Sequence, residues 1–163
     1  MALTIDGSDP TGDLGDLLDA KLPIAGGKIL QVVRATDTTN RTTTSTSYVD
    51  VTGMSVTITP QKSDSTVLVL CVFTMSAEGN GTSVDARLVI TNSADTVLTG
   101  AQDLIISSPD NLFFPMVLMA QVAPNSTSAQ TYKMRFRVTG ANRTITIYNG
   151  SATGQIYAIE VSA

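Results

Sequence analysis

Histidine and tryptophan are both absent from this chain of 163 residues, and cysteine occurs once, as Cys71. Without histidine, neither a Ser-His-Asp nor a Cys-His nucleophile can be assembled, and the usual zinc sites are excluded with them. A lone Cys forms no intrachain disulfide, and its place within an apolar run reads as a buried structural thiol. Charge is scarce too: Asp, Glu, Lys and Arg make up 15% of the chain, against about 25% in ordinary globular domains. The net charge is −4 and no Lys/Arg cluster occurs, which argues against a nucleic-acid face, since such faces work by releasing counterions from phosphates. No run approaches the ~20 apolar residues that span a bilayer, so no membrane insertion is expected; the longest, Val67 to Phe73, is strand-sized. A Gly-rich phosphate loop is missing, and Gly79-Asn80-Gly81 reads as a hairpin turn. No cofactor or metal is expected.

What is present is strand pattern and hydroxyl-rich surface. Met54, Val56 and Ile58 alternate with Ser55, Thr57 and Thr59, as a strand with one wet face requires, and Pro60 closes it. Thr66 to Met75 (TVLVLCVFTM) is apolar on both faces, which predicts a central strand covered on both sides or lying at a subunit contact. Its Val67, Val69, Cys71 and Phe73 are candidates for core or for trimer contact. Val84 to Ile90 carries Val84, Ala86, Leu88 and Ile90 on one side, with Asp85 and Arg87 on the other. Leu112 to Val122 is nearly all apolar, and Pro115 within it removes a ladder donor, implying an edge position or a bulge. Tyr132, Met134, Phe136 and Val138 face one way and Lys133, Arg135 and Arg137 the other. Ile145 and Ile147 follow, then an Asn149-Gly150 turn and a last strand, Gln155 to Val161. With Lys28 to Arg34 this makes about eight to ten strands and no helical period after residue 25. The expected class is all-β: an antiparallel β-sandwich of jelly-roll-like type over 26–163. The Thr-rich tract Thr36 to Ser47 reads as an exposed loop or arm.

Residues 1–25 differ. Leu14, Leu17, Leu18 and Leu22 fall at helical spacing, with Thr11 or Asp13 as N-cap and Pro23 as a stop, predicting a short helical arm. A helix this short is marginal alone, so its leucines need a partner surface. The segment lacks the basic start and apolar run of a secretory signal, so the expected product is made in a cytoplasm without export. Asp6, Asp9, Asp13, Asp16 and Asp19 miss the spacing of a calcium loop and read as a solvated face. Asp85, Asp103, Asp110 and Glu160 are too scattered to pair as glycosidase acids. The N-x-S/T triplets at Asn40, Asn80, Asn125, Asn142 and Asn149 follow from the abundance of Ser and Thr. Lys133, Arg135 and Arg137, with Arg41 and Arg143 as extensions, read as a solvated sheet face.

Four blocks taken in order carry a resemblance: AGGKILQVV, TSTSYVDVTGMSVTITPQKSDSTVLVL, TYKMRFRV and a closing QIYAIEV. Over most of residues 26 to 163 the chain resembles a family of small β-rich virion proteins of tailed bacteriophages, many of them labelled tail fibre. The resemblance implies a non-enzymatic virion protein: a homotrimeric knob, docked to a baseplate, tail or capsid protein through residues 1–25. As a tail fibre it would bind a host-surface glycan or protein, with the loops Asn40 to Ser47 and Glu78 to Ser83 as recognition candidates, Asn40, Arg41, Glu78 and Asn80 among them. As a head decoration protein it would lie on the capsid shell. A glycan-cleaving tailspike is the remote enzymatic alternative. Two-sided apolar strands supply more hydrophobic surface than a two-layer fold consumes, and trimer contacts would cover the excess.

Overall fold

A computed structural model describes residues 27–78, 84–101, 104–108 and 113–163. The arm expected over residues 1–25, with Leu14, Leu17, Leu18 and Leu22, lies outside the described residues, as does Asn80. Among the described residues ten strands form: β1 (Ile29–Asp37), β2 (Arg41–Thr43), β3 (Val49–Ile58), β4 (Thr66–Glu78), β5 (Val84–Asn92), β6 (Leu104–Ser108), β7 (Phe113–Val122), β8 (Gln130–Val138), β9 (Thr144–Ile147) and β10 (Gly154–Val161). All pairings are antiparallel. The described residues contain no helix.

The strands divide between two sheets, one in the order β1-β10-β4-β9-β2 with β7 also on β4, the other β3-β8-β5-β6. The first sheet simplifies to four ribbons. Val72 of β4 pairs with both Gln155 and Val117, and Met75 with both Ile147 and Phe114. Strands β10 and β9 therefore follow one another along one edge of β4, while β7 holds the other. Because β1 pairs with β10 and β2 with β9, these two also act as one interrupted outer ribbon.

Alternation decides what lies between the sheets. Val67, Val69, Cys71, Phe73 and Met75 of β4, Leu118 and Ala120 of β7, and Ile156 and Ala158 of β10 point inward from the first sheet. Val56 and Ile58 of β3, Leu88 and Ile90 of β5, and Met134 and Phe136 of β8 meet them from the second. Burying a side chain of this size contributes about 1.5–3 kcal/mol, so one continuous core of this extent is the main stabilising term. The expected alternation of Tyr132, Met134, Phe136 and Val138 against Lys133, Arg135 and Arg137 is what β8 shows. Among the described residues β7 pairs only with β4, so Pro115 sits on an edge strand, where a missing N–H costs least.

One reading is corrected in part and one open choice is decided. The Thr-rich tract Thr36 to Ser47 is exposed over most of its length, as expected, but part of it is strand and not loop. Thr36 and Asp37 still belong to β1, and Arg41–Thr43 pairs as β2 with β9, held there by the Arg41–Asp37 ion pair and the Thr42–Thr146 hydroxyl contact. Val67, Val69, Cys71 and Phe73, left open between core and trimer contact, take the first alternative and face the core; each is at most 3% exposed. The outward half of β4 consists instead of Thr66, Leu68, Leu70, Val72 and Thr74.

Candidate functional site

Three polar or apolar constellations stand out above the core, and each arises where the alternation is broken or left uncovered. The first is the corner between β1 and β2. Asp37, buried at the inward end of β1, accepts two hydrogen bonds from the Arg41 guanidinium at 2.9 Å each and one from Asn149 Nδ2 at 2.9 Å. Arg41 chiefly, against the opposing effect of burial, holds the Asp37 carboxyl below the usual carboxylate range; Asn149 and the Thr39 amide add to it. Asn40 Oδ1 accepts from the Gly150 amide at 2.8 Å, tying this corner to the β9–β10 turn. Gly53, at φ +87°, passes over Asp37 so closely that a Cβ there would lie 2.7 Å from Asp37 Cγ. It marks a bulge, since the β3–β8 register jumps between Asp50 and Ser55. Gly154 is similarly confined: a Cβ would sit 2.2 Å from Asn149 Oδ1.

The second constellation surrounds Glu160, fully buried at the inward position of β10. Its carboxylate accepts from Gln31 Nε2 at 2.6 Å, from the Gln61 amide at 2.9 and 3.0 Å, from the Lys62 amide at 3.1 Å and from Ser65 Oγ at 2.7 Å. Burial by itself would raise its pKa, but these donors outweigh it and hold the group down at about 2. Glu160 is thus ionised at neutral pH and saturated with donors, which suits fastening the β3–β4 connection and does not suit a general acid. Cys71 is the remaining reactive type, and burial pushes its thiol well up, away from the thiolate.

The third constellation is the solvent side of the first sheet. Cross-strand register builds a grid of three rows: Val32–Ile159–Leu68–Gln121, Arg34–Tyr157–Leu70–Met119 and Thr36–Gln155–Val72–Val117. Eight of these twelve positions are apolar or aromatic, so a core-like face is turned outward. Val32 is 54% exposed and Val117 52%, and Phe113 extends the same face at 60% while leaning on Tyr148 with ring centroids 4.9 Å apart. A depression of about 350 Å³ opens in it, lined by Val72, Thr74, Pro115, Ala152, Thr153 and Gln155. Arg34 is the one charged side chain on the grid.

The second sheet's outer face has the opposite chemistry. Lys133 lies 2.9 Å from Asp50 and 2.6 Å from Asp95, and Arg135 lies 2.8 Å from Asp50 and 3.3 Å from Asp95. The Asp95 bond to Lys133, followed by Asp50, raises the lysine's pKa, and the same Lys133 bond lowers that of Asp95. Arg137 stacks over the Tyr48 ring at 5.0 Å. The basic stripe expected of β8 is therefore largely neutralised by carboxylates and sits as a solvated face.

Of the recognition candidates, Arg41 is committed to Asp37 and Asn40 to Gly150, while Glu78 is exposed at the end of β4. Sequence reasoning missed the Asp37 and Glu160 networks; the only signal was an acid at an inward strand position. Among the described residues no group of three or more His, Cys, Asp or Glu could hold a metal, and no helix is long and apolar enough to cross a membrane.

No family model matches the chain, and no curated protein matches it either. Among solved structures, a chain of the infectious bursal disease virus Gx strain structure aligns at a TM-score of 0.42 and 12% identity, over 84% of this chain. The alignment spans 37% of that neighbour's length.

Proposed function

We propose that this chain is a non-enzymatic structural subunit of a bacteriophage virion, a homotrimeric tail-fibre knob that presents its second sheet and loops to a host surface. The outward apolar grid on the first sheet is the observation that carries this reading. A soluble monomer gains nothing from turning Val32, Leu70, Val72 and Val117 to water, whereas a subunit that assembles covers them. The strand order supports reading the two layers as a jelly roll, with ribbons β1/β2, β10/β9, β4 and β7 facing β3, β8, β5 and β6. The resemblance of the four blocks Ala25 to Val33, Thr44 to Leu70, Thr131 to Val138 and Gln155 to Val161 to small phage virion proteins points the same way. The two carboxylates with the richest surroundings, Asp37 and Glu160, are occupied in bracing loops, which favours a structural role over a glycan-cleaving one.

Antibody or gold labelling of intact particles tests the reading. Label at the tail is expected. Label spread over the capsid shell would convert the proposal to head decoration, and absence from purified particles would overturn it.

A further inference from the structure

We infer that the outward face of the first sheet is the surface through which copies of this chain join, with the β7 edge of one copy packing against the β1–β10 side of the next. The inference rests on the homotrimer reading above and specifies its interface. Three observations select a second copy as the occupant.

Size comes first. The grid is roughly 20 Å on a side, from four ribbons ~4.8 Å apart and rows two residues apart along each strand. Extended by Ile29 at the start of β1 and by Phe113 and Pro115 along β7, it covers about 400–500 Å², the size of contiguous apolar patch that marks an interaction site. Second, the face is nearly uncharged: Arg34 stands alone, and the other titratable group on the grid, Tyr157, spends its hydroxyl on Gln155. Partners of unlike kind are selected by complementary charge, while permanent contacts between like subunits are apolar. A face with one charge among twelve positions suits the latter.

The third observation is asymmetry. On one side β7 leaves its outer backbone edge unpaired among the described residues and carries Phe113, Val117 and Met119, which are 60%, 52% and 43% exposed. The other side is the β1 edge, also without a ladder partner among the described residues, where the side chains are the β-branched Val32 and Ile159 in place of Phe and Met; between the two sides lies the depression beside Val72 and Pro115. A long apolar edge strand left open is an aggregation hazard that folded proteins cover. Matching two different sides head to tail closes a ring of copies, and in doing so protects the edge. The arginine–aspartate face of the second sheet stays outside.

Full-length protein carrying a benzophenone amino acid at Val117 tests the contact directly. Irradiation is expected to give cross-linked dimers and trimers whose adducts map to Val32, Tyr157 or Ile159 of another copy. Adducts within the same chain to residues 1–26 would overturn the inference by making the N-terminal segment the cover, as would the absence of any adduct. In parallel, the double variant Val117→Lys, Met119→Lys is expected to sediment as a folded monomer with an unchanged β-type circular dichroism spectrum, while Thr57→Lys on the opposite face leaves the assembly intact. If the wild-type chain is trimeric and the double variant remains so, this interface is wrong while the homotrimer reading stands; a monomeric wild type fails both.

Discussion

Glu160 concentrates the energetics of the fold at a single residue. Its carboxylate gathers Gln31, the backbone of Gln61 and Lys62, and Ser65, residues separated from it by 95 or more positions in the chain. With the pKa depressed from the ordinary 4.5 to about 2, the stabilisation is complete above the ordinary value and lost as pH falls from there through 2. Asp37, also depressed, adds in the same direction. The expected outcome is a melting temperature that drops between pH 5 and pH 2, with a flatter profile in Glu160→Gln. At neutral pH that variant should lose about 1.5–3 kcal/mol, because an amide cannot accept from every donor now gathered there; urea titrations at several pH values check both. Gly53 makes the second residue-scale case. Its φ of +87° and the 2.7 Å approach of a notional Cβ to Asp37 Cγ predict that Gly53→Ala costs about 1–3 kcal/mol, read as a shift in the urea midpoint. None of this was visible in local pattern: Glu160 looked like one of several scattered acids, since its partners converge only after β10 pairs with β4.

At the scale of elements, period-two alternation made most strands legible. Tyr132 to Val138, Met54 to Ile58 and Gln155 to Val161 fold as their alternation predicts, because one face of each must be buried and a one-residue slip would expose it. The Thr-rich stretch was misread for a physical reason. Hydroxyl side chains report solvent exposure and say nothing about whether the backbone is paired, and β2 is a short edge strand with no inward apolar residue to declare it. Its position depends on the Arg41–Asp37 ion pair and on Thr42 and Thr146, whose hydroxyls meet at 3.1 Å. Arg41→Ala should therefore leave Asp37 buried without its main donor and lower stability by about 1–3 kcal/mol. Amide hydrogen exchange should locate the loss in β2 and β9, with β4 and β8 still protected. Strand β4 shows how far the sequence reached: two-sided apolarity was read correctly, but pattern alone could not tell that Val67, Val69, Cys71 and Phe73 face inward and Leu68, Leu70 and Val72 face out.

For the whole molecule, the two outer faces divide the labour. One carries Lys133 and Arg135 laced to Asp50 and Asp95, a surface at ease in water. The other carries Leu68, Leu70, Val72, Val117 and Met119, and is the face that the proposed assembly would cover. On the proposed reading the molecule works through shape and contact, with its two best-surrounded acids, Asp37 and Glu160, tied into loop braces. The measurement that tests this most directly is the native mass of the full chain at micromolar concentration, by sedimentation or native mass spectrometry. The account predicts a single species at three times the 17.1 kDa of the chain. A monodisperse species at 17.1 kDa, with the Val117 and Met119 face open to solvent, would contradict it.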